Sequence, residues 1–263
     1  MSRQHLEDAI QTVLNRGNKC FVPYIMAGDG GLDQLIPRLE FLQNAGATMI
    51  EIGIPFSDPA ADGPVIQAAG TRALQEGTTI RGILETLEKV RETVSIPLLF
   101  MTYLNPLMAV GLDYFAEQCA AIGIDACIIP DVPLEEEHEI KPYLQKHNIA
   151  LIRLATLTSP PERLEAISNG AEGFLYAVTV KGVTGVRREF ENQVTSYMQA
   201  LKKVSSVPVF AGFGISTPEH VKTMSEVCDG VIVGSQIVSD LHNGNEEDII
   251  SLIQSANNYS ATK

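Results

Sequence analysis

The chain has 263 residues, 45% of them apolar and 19% charged, enough to bury a large core and too apolar for a disordered chain. Its 32 acidic against 19 basic residues leave a formal charge of −13, which repels nucleic acid and anionic membrane surfaces. A phosphorylated ligand must then be held by local backbone donors and helix ends rather than by a basic face. No stretch approaches the roughly 18 uninterrupted apolar residues of a membrane span, so a cytoplasmic protein is expected.

His5 to Leu14 has helical spacing. Eight short apolar runs bounded by turn residues follow, at Cys20 to Met26, Thr48 to Ile54, Pro97 to Tyr103, Ala126 to Pro130, Ile149 to Ala155, Gly173 to Val178, Val207 to Gly212 and Gly230 to Val233. Most lack polar alternation, as strands covered on both faces do. Segments with helical spacing separate them, among them Leu32 to Ala45, Ile80 to Thr93, Asp113 to Ile122, Pro161 to Ser168, Thr217 to Val227 and Glu246 to Ala256. Strand and helix alternate throughout, which implies a parallel sheet, and eight units are the number that closes a (β/α)8 TIM barrel. The expectation is one such domain over residues 1–263, with the additional N-terminal helix closing the barrel floor. A doubly wound dinucleotide fold would alternate in the same way. Its fingerprint is missing, because Gly212-Phe213-Gly214-Ile215-Ser216-Thr217 lacks the third glycine and follows the seventh run rather than the first.

In a parallel barrel the reacting groups sit at the C-terminal ends of strands. Glu51 interrupts the second run, and period-two alternation puts Met49, Glu51 and Gly53 on one face. If that face is the interior, the carboxyl is desolvated, which raises its pKa and suits it to move protons near neutrality; a carboxylate paired with a backbone donor is the alternative. The next loop, Pro55 to Pro64, carries three prolines, presents Asp58 and Asp62 over the mouth and places Pro64 at the first helical position. Asp62 reads equally well as an acid favoured by a helix dipole. Glycine-bearing loops after the last three runs, at Gly182 to Gly185, Gly212 to Ser216 and Gly234-Ser235, resemble a phosphate cradle, with Ser235 opening a short helix.

Other candidates carry less. The five histidines fall in expected helices or surface loops, with no pair at metal-ligand spacing, and read as solvated; the run Glu135-Glu136-Glu137 reads as a solvated helix start. Cys20, Cys119, Cys127 and Cys228 form no CxxC pair and read as structural thiols. Lys181 comes closest to a Schiff-base position, and neither a GxSxG elbow nor a P-loop is present.

The stretch Ile50 to Gln67, IEIGIPFSDPAADGPVIQ, resembles the signature of the tryptophan synthase alpha-chain family, and Phe21-Val22-Pro23-Tyr24, Tyr103-Leu104-Asn105-Pro106, Pro130-Asp131-Val132-Pro133 and the loops at Gly182 and Gly212 resemble its other blocks in order. The resemblance implies retro-aldol cleavage of indole-3-glycerol phosphate to indole and glyceraldehyde 3-phosphate, with neither metal nor organic cofactor. It also implies that Glu51 protonates the indole C3 and handles the glycerol hydroxyl proton, and that Asp62 accepts the indole NH. Gly185, Gly214, Gly234 and Ser235 would bind the phosphate, Phe213, Tyr176 and Tyr24 would form an apolar slot, and Thr184 would close over the site and orient Asp62. The family pairs with a pyridoxal phosphate-dependent beta chain in an α2β2 heterotetramer, which the loop from Phe56 to Ala61, with Asp58 and Pro59, would contact. Gly30 stands where many relatives have proline.

Overall fold

The computed structural model describes residues 2–178, 187–212 and 214–257, the side chains of 187–192 aside. Eight parallel strands close a barrel in chain order: β1 (Cys20–Met26), β2 (Ile50–Gly53), β3 (Leu98–Met101), β4 (Ala126–Ile128), β5 (Ala150–Thr156), β6 (Leu175–Val178), β7 (Val209–Gly212) and β8 (Gly230–Val233). Closure is by β8 against β1, with Cys20 beside Gly230. Helices α1 (Arg3–Asn15), α2 (Leu35–Asn44), α3 (Pro64–Gln75), α4 (Ile80–Leu87), α5 (Leu104–Val110), α6 (Leu112–Ile122), α7 (Lys141–Lys146), α8 (Pro161–Ser168), α9 (Arg187–Val204), α10 (Pro218–Ser225), α11 (Ser235–Asn243) and α12 (Glu246–Asn257) accompany it. This is the TIM barrel that the alternation predicts. Among the described residues no helix is long and apolar enough to cross a membrane.

Alternation along each strand sorts side chains into two cores. Ile50 and Ile52 join Phe100, Cys127 and the helix faces, whereas Met49, Val22, Leu99, Ile128, Ile152, Phe174 and Phe210 fill the interior with Leu6 and Ile10 of α1. The N-terminal helix therefore plugs the barrel floor, as its spacing implied. Two interior glycines leave room for rings: a Cβ at Gly53 would lie 1.9 Å from the Tyr24 hydroxyl, and one at Gly212 would lie 2.4 Å from the Tyr176 ring. Gly30 has φ +85, which a proline ring cannot adopt.

The lower rim has a fourfold pattern. An amide near the start of each odd strand donates to a side chain standing just before the next even strand: Phe21 to Thr48 Oγ1 (3.1 Å), Leu98 to Asp125 Oδ2 (3.0 Å), Leu151 to Glu172 Oε2 (3.1 Å) and Val209 to Asp229 Oδ2 (3.0 Å). Each clamp satisfies an amide that would otherwise lack a partner where the strands enter the barrel. Asp125 does most. Fully buried, it also meets Arg91 at 2.8 Å, His5 Nδ1 at 3.0 Å and the Ser2 amide at 2.9 Å.

Two surface expectations need correction. His5 is not simply solvated, since Asp125 anchors it and with it the start of α1. Glu137 is buried and pairs with Arg153, which β5 turns outward among the helices, and with Lys141 at 3.1 Å. Arg153 needs a counter-charge in that half-buried layer, and Glu137 supplies it. All four cysteines are buried, and burial pushes the Cys228 thiol up to about 12, so that thiol stays protonated and inert.

Removing the Asp125 carboxyl strands both the Arg91 guanidinium and the Leu98 amide. Asp125→Ala is therefore expected to cost about 3–5 kcal/mol, read as a lower urea midpoint. Asp229→Ala, whose partner Lys202 is 38% exposed, is expected to cost distinctly less.

Candidate active site

Strand β2 delivers Glu51 to the barrel mouth on the face it shares with Met49 and Gly53, opposite the helix-facing Ile50 and Ile52. The neighbouring strand places Tyr24 in register with it. Glu51 is 2% exposed, and its Oε2, like the Tyr24 hydroxyl oxygen, has no hydrogen-bond partner among the described residues. Buried polar atoms are normally paired, so two orphans side by side mark a place built for something other than packing. The alternative of a carboxylate paired with a backbone donor is not what the structure shows for Oε2. Burial first, and then the nearby charge of Asp62, push the Glu51 carboxyl up to about 8.

Asp62 reaches the same mouth from the loop after β2. The turn that carries it is closed by the Asp62 amide on the Pro59 carbonyl (3.1 Å), and the Gln67 side chain donates to the Asp62 carbonyl (2.9 Å). Helix α3 then starts with Gly63 as its cap and Pro64 as its first residue, without a side-chain cap. The Asp62 carboxyl therefore makes no capping hydrogen bond to the helix. It is half-buried, and that burial pushes it up to about 6, while a hydrogen bond with Tyr103 holds it down.

Tyr176 completes the ring of groups. Burial and then the carboxyls of Glu51 and Asp62 raise its hydroxyl, and the same two acids act on Tyr24, so four side chains from β1, β2, the β2 loop and β6 lie within electrostatic reach of one another at the mouth. On the adjoining side, β7 and β8 run in register through Gly212 and Ile232. Past their ends lie Gly214, with φ +76 and open space where a Cβ would stand, and Gly234, which precedes α11 without a side-chain cap. Ser235 is the first residue of α11 and is exposed. Uncapped amides at a helix start beside an open glycine suit an anion.

A family model described as "Tryptophan synthase alpha chain" matches residues 10–263. The chain belongs to the tryptophan synthase alpha-chain family. A tryptophan synthase alpha chain of Bacillus cereus is 53% identical over 247 residues, covering 94% of this chain and 96% of the relative. One from Bacillus anthracis is 52% identical over the same shares. Among solved structures, tryptophan synthase subunit alpha of Legionella pneumophila superposes with a TM-score of 0.88 at 32% identity, covering 98% of this chain and 99% of the other. A tryptophan synthase chain from M. tuberculosis gives 0.88 at 28% identity, with the same coverage.

Of the residues to which the alpha-chain resemblance gave roles, the structure brings Glu51, Asp62, Tyr24 and Tyr176 together and sets Gly214, Gly234 and Ser235 past the ends of β7 and β8. Asp58 is exposed and Pro59 half-buried on the loop that carries Asp62. Thr184, Gly185 and Phe213 lie outside the described residues. Tyr103 is the addition. A tyrosine ending an apolar run reads as packing, and its contact with a loop 42 residues earlier leaves no mark in local spacing.

A raised carboxyl has a sign for stability. The folded chain keeps the Glu51 proton up to about pH 8, whereas the unfolded chain releases it near 4.5, so the folded state binds more protons between those values. Stability therefore falls as pH rises through that window and levels off above it. Glu51→Gln is expected to flatten this slope, as measured by unfolding free energies at pH 5 and pH 9. Parallel losses in wild type and variant would refute the assignment.

Proposed function

We propose that Glu51 and Asp62 carry out the acid–base steps of the reaction on this chain. As a member of the tryptophan synthase alpha-chain family, it is a carbon–carbon lyase of tryptophan biosynthesis. It cleaves indole-3-glycerol phosphate to indole and glyceraldehyde 3-phosphate and works with the beta chain in an α2β2 complex. The observation that supports the residue assignment is a pair of carboxyls at one barrel mouth, Glu51 buried with its Oε2 unpartnered among the described residues and Asp62 half-buried beside it.

At neutral pH the Glu51 carboxyl, pushed up to about 8, holds its proton, and Asp62, at about 6, has lost its own. Environment thus divides two similar groups between the acid and the acceptor role. Glu51 donates to indole C3, which leaves the ring as a cation, and Asp62 stabilises that cation through the indole NH. The carboxylate formed at Glu51 then takes the proton of the side-chain hydroxyl next to the ring. As the carbonyl forms, the bond to C3 breaks, its electron pair restores the indole, and Glu51 ends protonated as it began.

Tyr24 and Tyr176 would flank the indole, and Phe213 would complete the slot. Gly185, Gly214, Gly234 and Ser235 would hold the phosphate with backbone amides, which fits a chain whose net charge of −13 offers no basic alternative. Thr184 would close over the bound substrate. The loop from Phe56 to Ala61 would dock the beta chain: Asp58 is exposed, and Phe56, Ser57 and Pro59 line a groove with Gln67, Thr71 and Leu74 of α3. Its prolines preorganise it for docking. The site of action would be the cytoplasm.

Glu51→Gln and Asp62→Asn are each expected to lower kcat for indole release by about 10²- to 10⁴-fold in the complex with the beta chain, with unchanged circular dichroism. In the wild type, kcat/KM is expected to rise through about pH 6 and fall above about pH 8, the rising limb belonging to Asp62 and the falling one to Glu51. Undiminished turnover in Glu51→Gln would end the proton-transfer assignment.

A further inference from the structure

Asp62 stands on a loop, and a loop alone does not hold a carboxyl to catalytic tolerance. The support comes from the two strand ends that follow. The Tyr103 hydroxyl accepts the Ala61 amide at 3.0 Å, which leaves its own proton available to the neighbouring Asp62 carboxyl, whose proton affinity it lowers. One hydroxyl thus holds the backbone before Asp62 and lies close enough to the Asp62 carboxyl to lower its proton affinity. Tyr103 is in turn held at its ring and at the backbone that follows it. Phe56, at the other end of the same loop, packs on it with ring centroids 5.4 Å apart and planes at 36°. On its C-terminal side, both carboxylate oxygens of Asp131, just past β4, accept the Leu104 amide at 3.0 and 3.1 Å, holding the first residue of α5.

We propose that Tyr103 is the positioning residue for Asp62 and that Asp131 acts through it, so that the loops after β4, β3 and β2 form one chain of support ending at the Asp62 carboxyl. The chain reads in order: Asp131 accepts the Leu104 amide, this sets the backbone at Tyr103, and the Tyr103 hydroxyl sets Ala61 and Asp62. Nothing in the run of residues from 55 to 64 makes an equivalent grip on that carboxyl. Gln67 holds the Asp62 carbonyl, which fixes the backbone of the turn and leaves the side chain free to rotate.

The inference rests on the assignment of Asp62 as the acceptor for the indole NH, and it deepens that assignment. Its electrostatic sign is determined by the groups around Asp62. Glu51 and Tyr24 from the barrel wall, Tyr176 across the mouth and Tyr103 are the titratable groups that face it, with Asp131 behind Tyr103. Of these, the Tyr103 hydroxyl lowers the proton affinity of Asp62 by hydrogen bonding to its charged form. Tyr103→Phe keeps the ring against Phe56 and removes only the hydroxyl.

The test is a carboxyl-carbon NMR titration of Asp62 in the full-length chain, run beside kcat/KM for indole release in the complex. Tyr103→Phe is expected to raise the Asp62 midpoint by about one pH unit, given the usual strength of a hydrogen bond to a charged group. The rising limb of kcat/KM should move upward with it, so that activity falls more at pH 6 than at pH 8. Asp131→Ala is expected to shift Asp62 in the same direction. Asp131→Asn, which loses the charge yet keeps an acceptor for the Leu104 amide, should stay near wild type. An Asp62 midpoint unmoved in Tyr103→Phe, or a uniform loss of activity with an unchanged profile, overturns the proposal. A shift in Tyr103→Phe without one in Asp131→Ala overturns the part assigned to Asp131. The NMR midpoint does not depend on turnover, so failure of the lyase assignment would appear separately, as an active Glu51→Gln.

Discussion

Burying the Glu51 carboxyl with no donor for its Oε2 among the described residues costs free energy, and the surrounding barrel is what tolerates the cost. A flexible scaffold would turn the side chain to water or bring a donor to it. Here β2 is held on both edges, Glu51 lies in register with Tyr24 on one side and Leu99 on the other, and the side chain has no exit except the mouth. The protein meets the penalty by keeping the carboxyl protonated, and a protonated carboxyl at neutral pH is a proton donor. Burial thus produces the chemical property that the proposed reaction needs.

The two ends of the barrel handle polar groups in opposite ways. At the lower rim, Thr48, Asp125, Glu172 and Asp229 each receive a strand amide, and Asp125 is further saturated by Arg91, His5 and the Ser2 amide. At the upper rim, Glu51 Oε2 and the Tyr24 hydroxyl have no partner among the described residues, and the first amides of α11 have no side-chain cap. Satisfied groups stabilise and unsatisfied ones wait for a ligand, a division of labour that suits barrels whose chemistry lies at the strand ends. The acid at each rim is of the same kind, so the difference between Asp125 and Glu51 lies in the number of donors that converge on it.

The strands were legible because both of their faces are buried. Continuous apolar runs between glycines and prolines located all eight, and Glu51, which interrupts one of them, marked the face that Met49 and Gly53 share. Pro64 marked the helix start, and its place was right because a ring without an amide fits a position where no amide is needed. Less legible were contacts made across the sequence. The lower-rim clamps appear locally as single polar residues before strands, and the Tyr103 grip on the Asp62 loop joins two strand ends that only closure of the barrel makes adjacent. The reading of Glu137 and His5 as solvated failed for the same reason, since their partners, Arg153 and Asp125, come from other units of the barrel. Asp62, whose two readings were evenly matched in the sequence, precedes a helix that takes Gly63 as its cap without a side-chain bond, and its carboxyl lies near Tyr103.

The central claim is that Glu51 and Asp62 meet at one barrel mouth closely enough for the Asp62 charge to raise the proton affinity of Glu51. It is tested most directly by following the Glu51 side-chain carboxyl carbon by NMR from pH 4 to pH 10 in the wild type and in Asp62→Asn. The account predicts a wild-type midpoint near 8 and a lower one once the Asp62 charge is gone. A Glu51 midpoint at the ordinary value of 4.5, or one that does not move when Asp62 is neutralised, would contradict it.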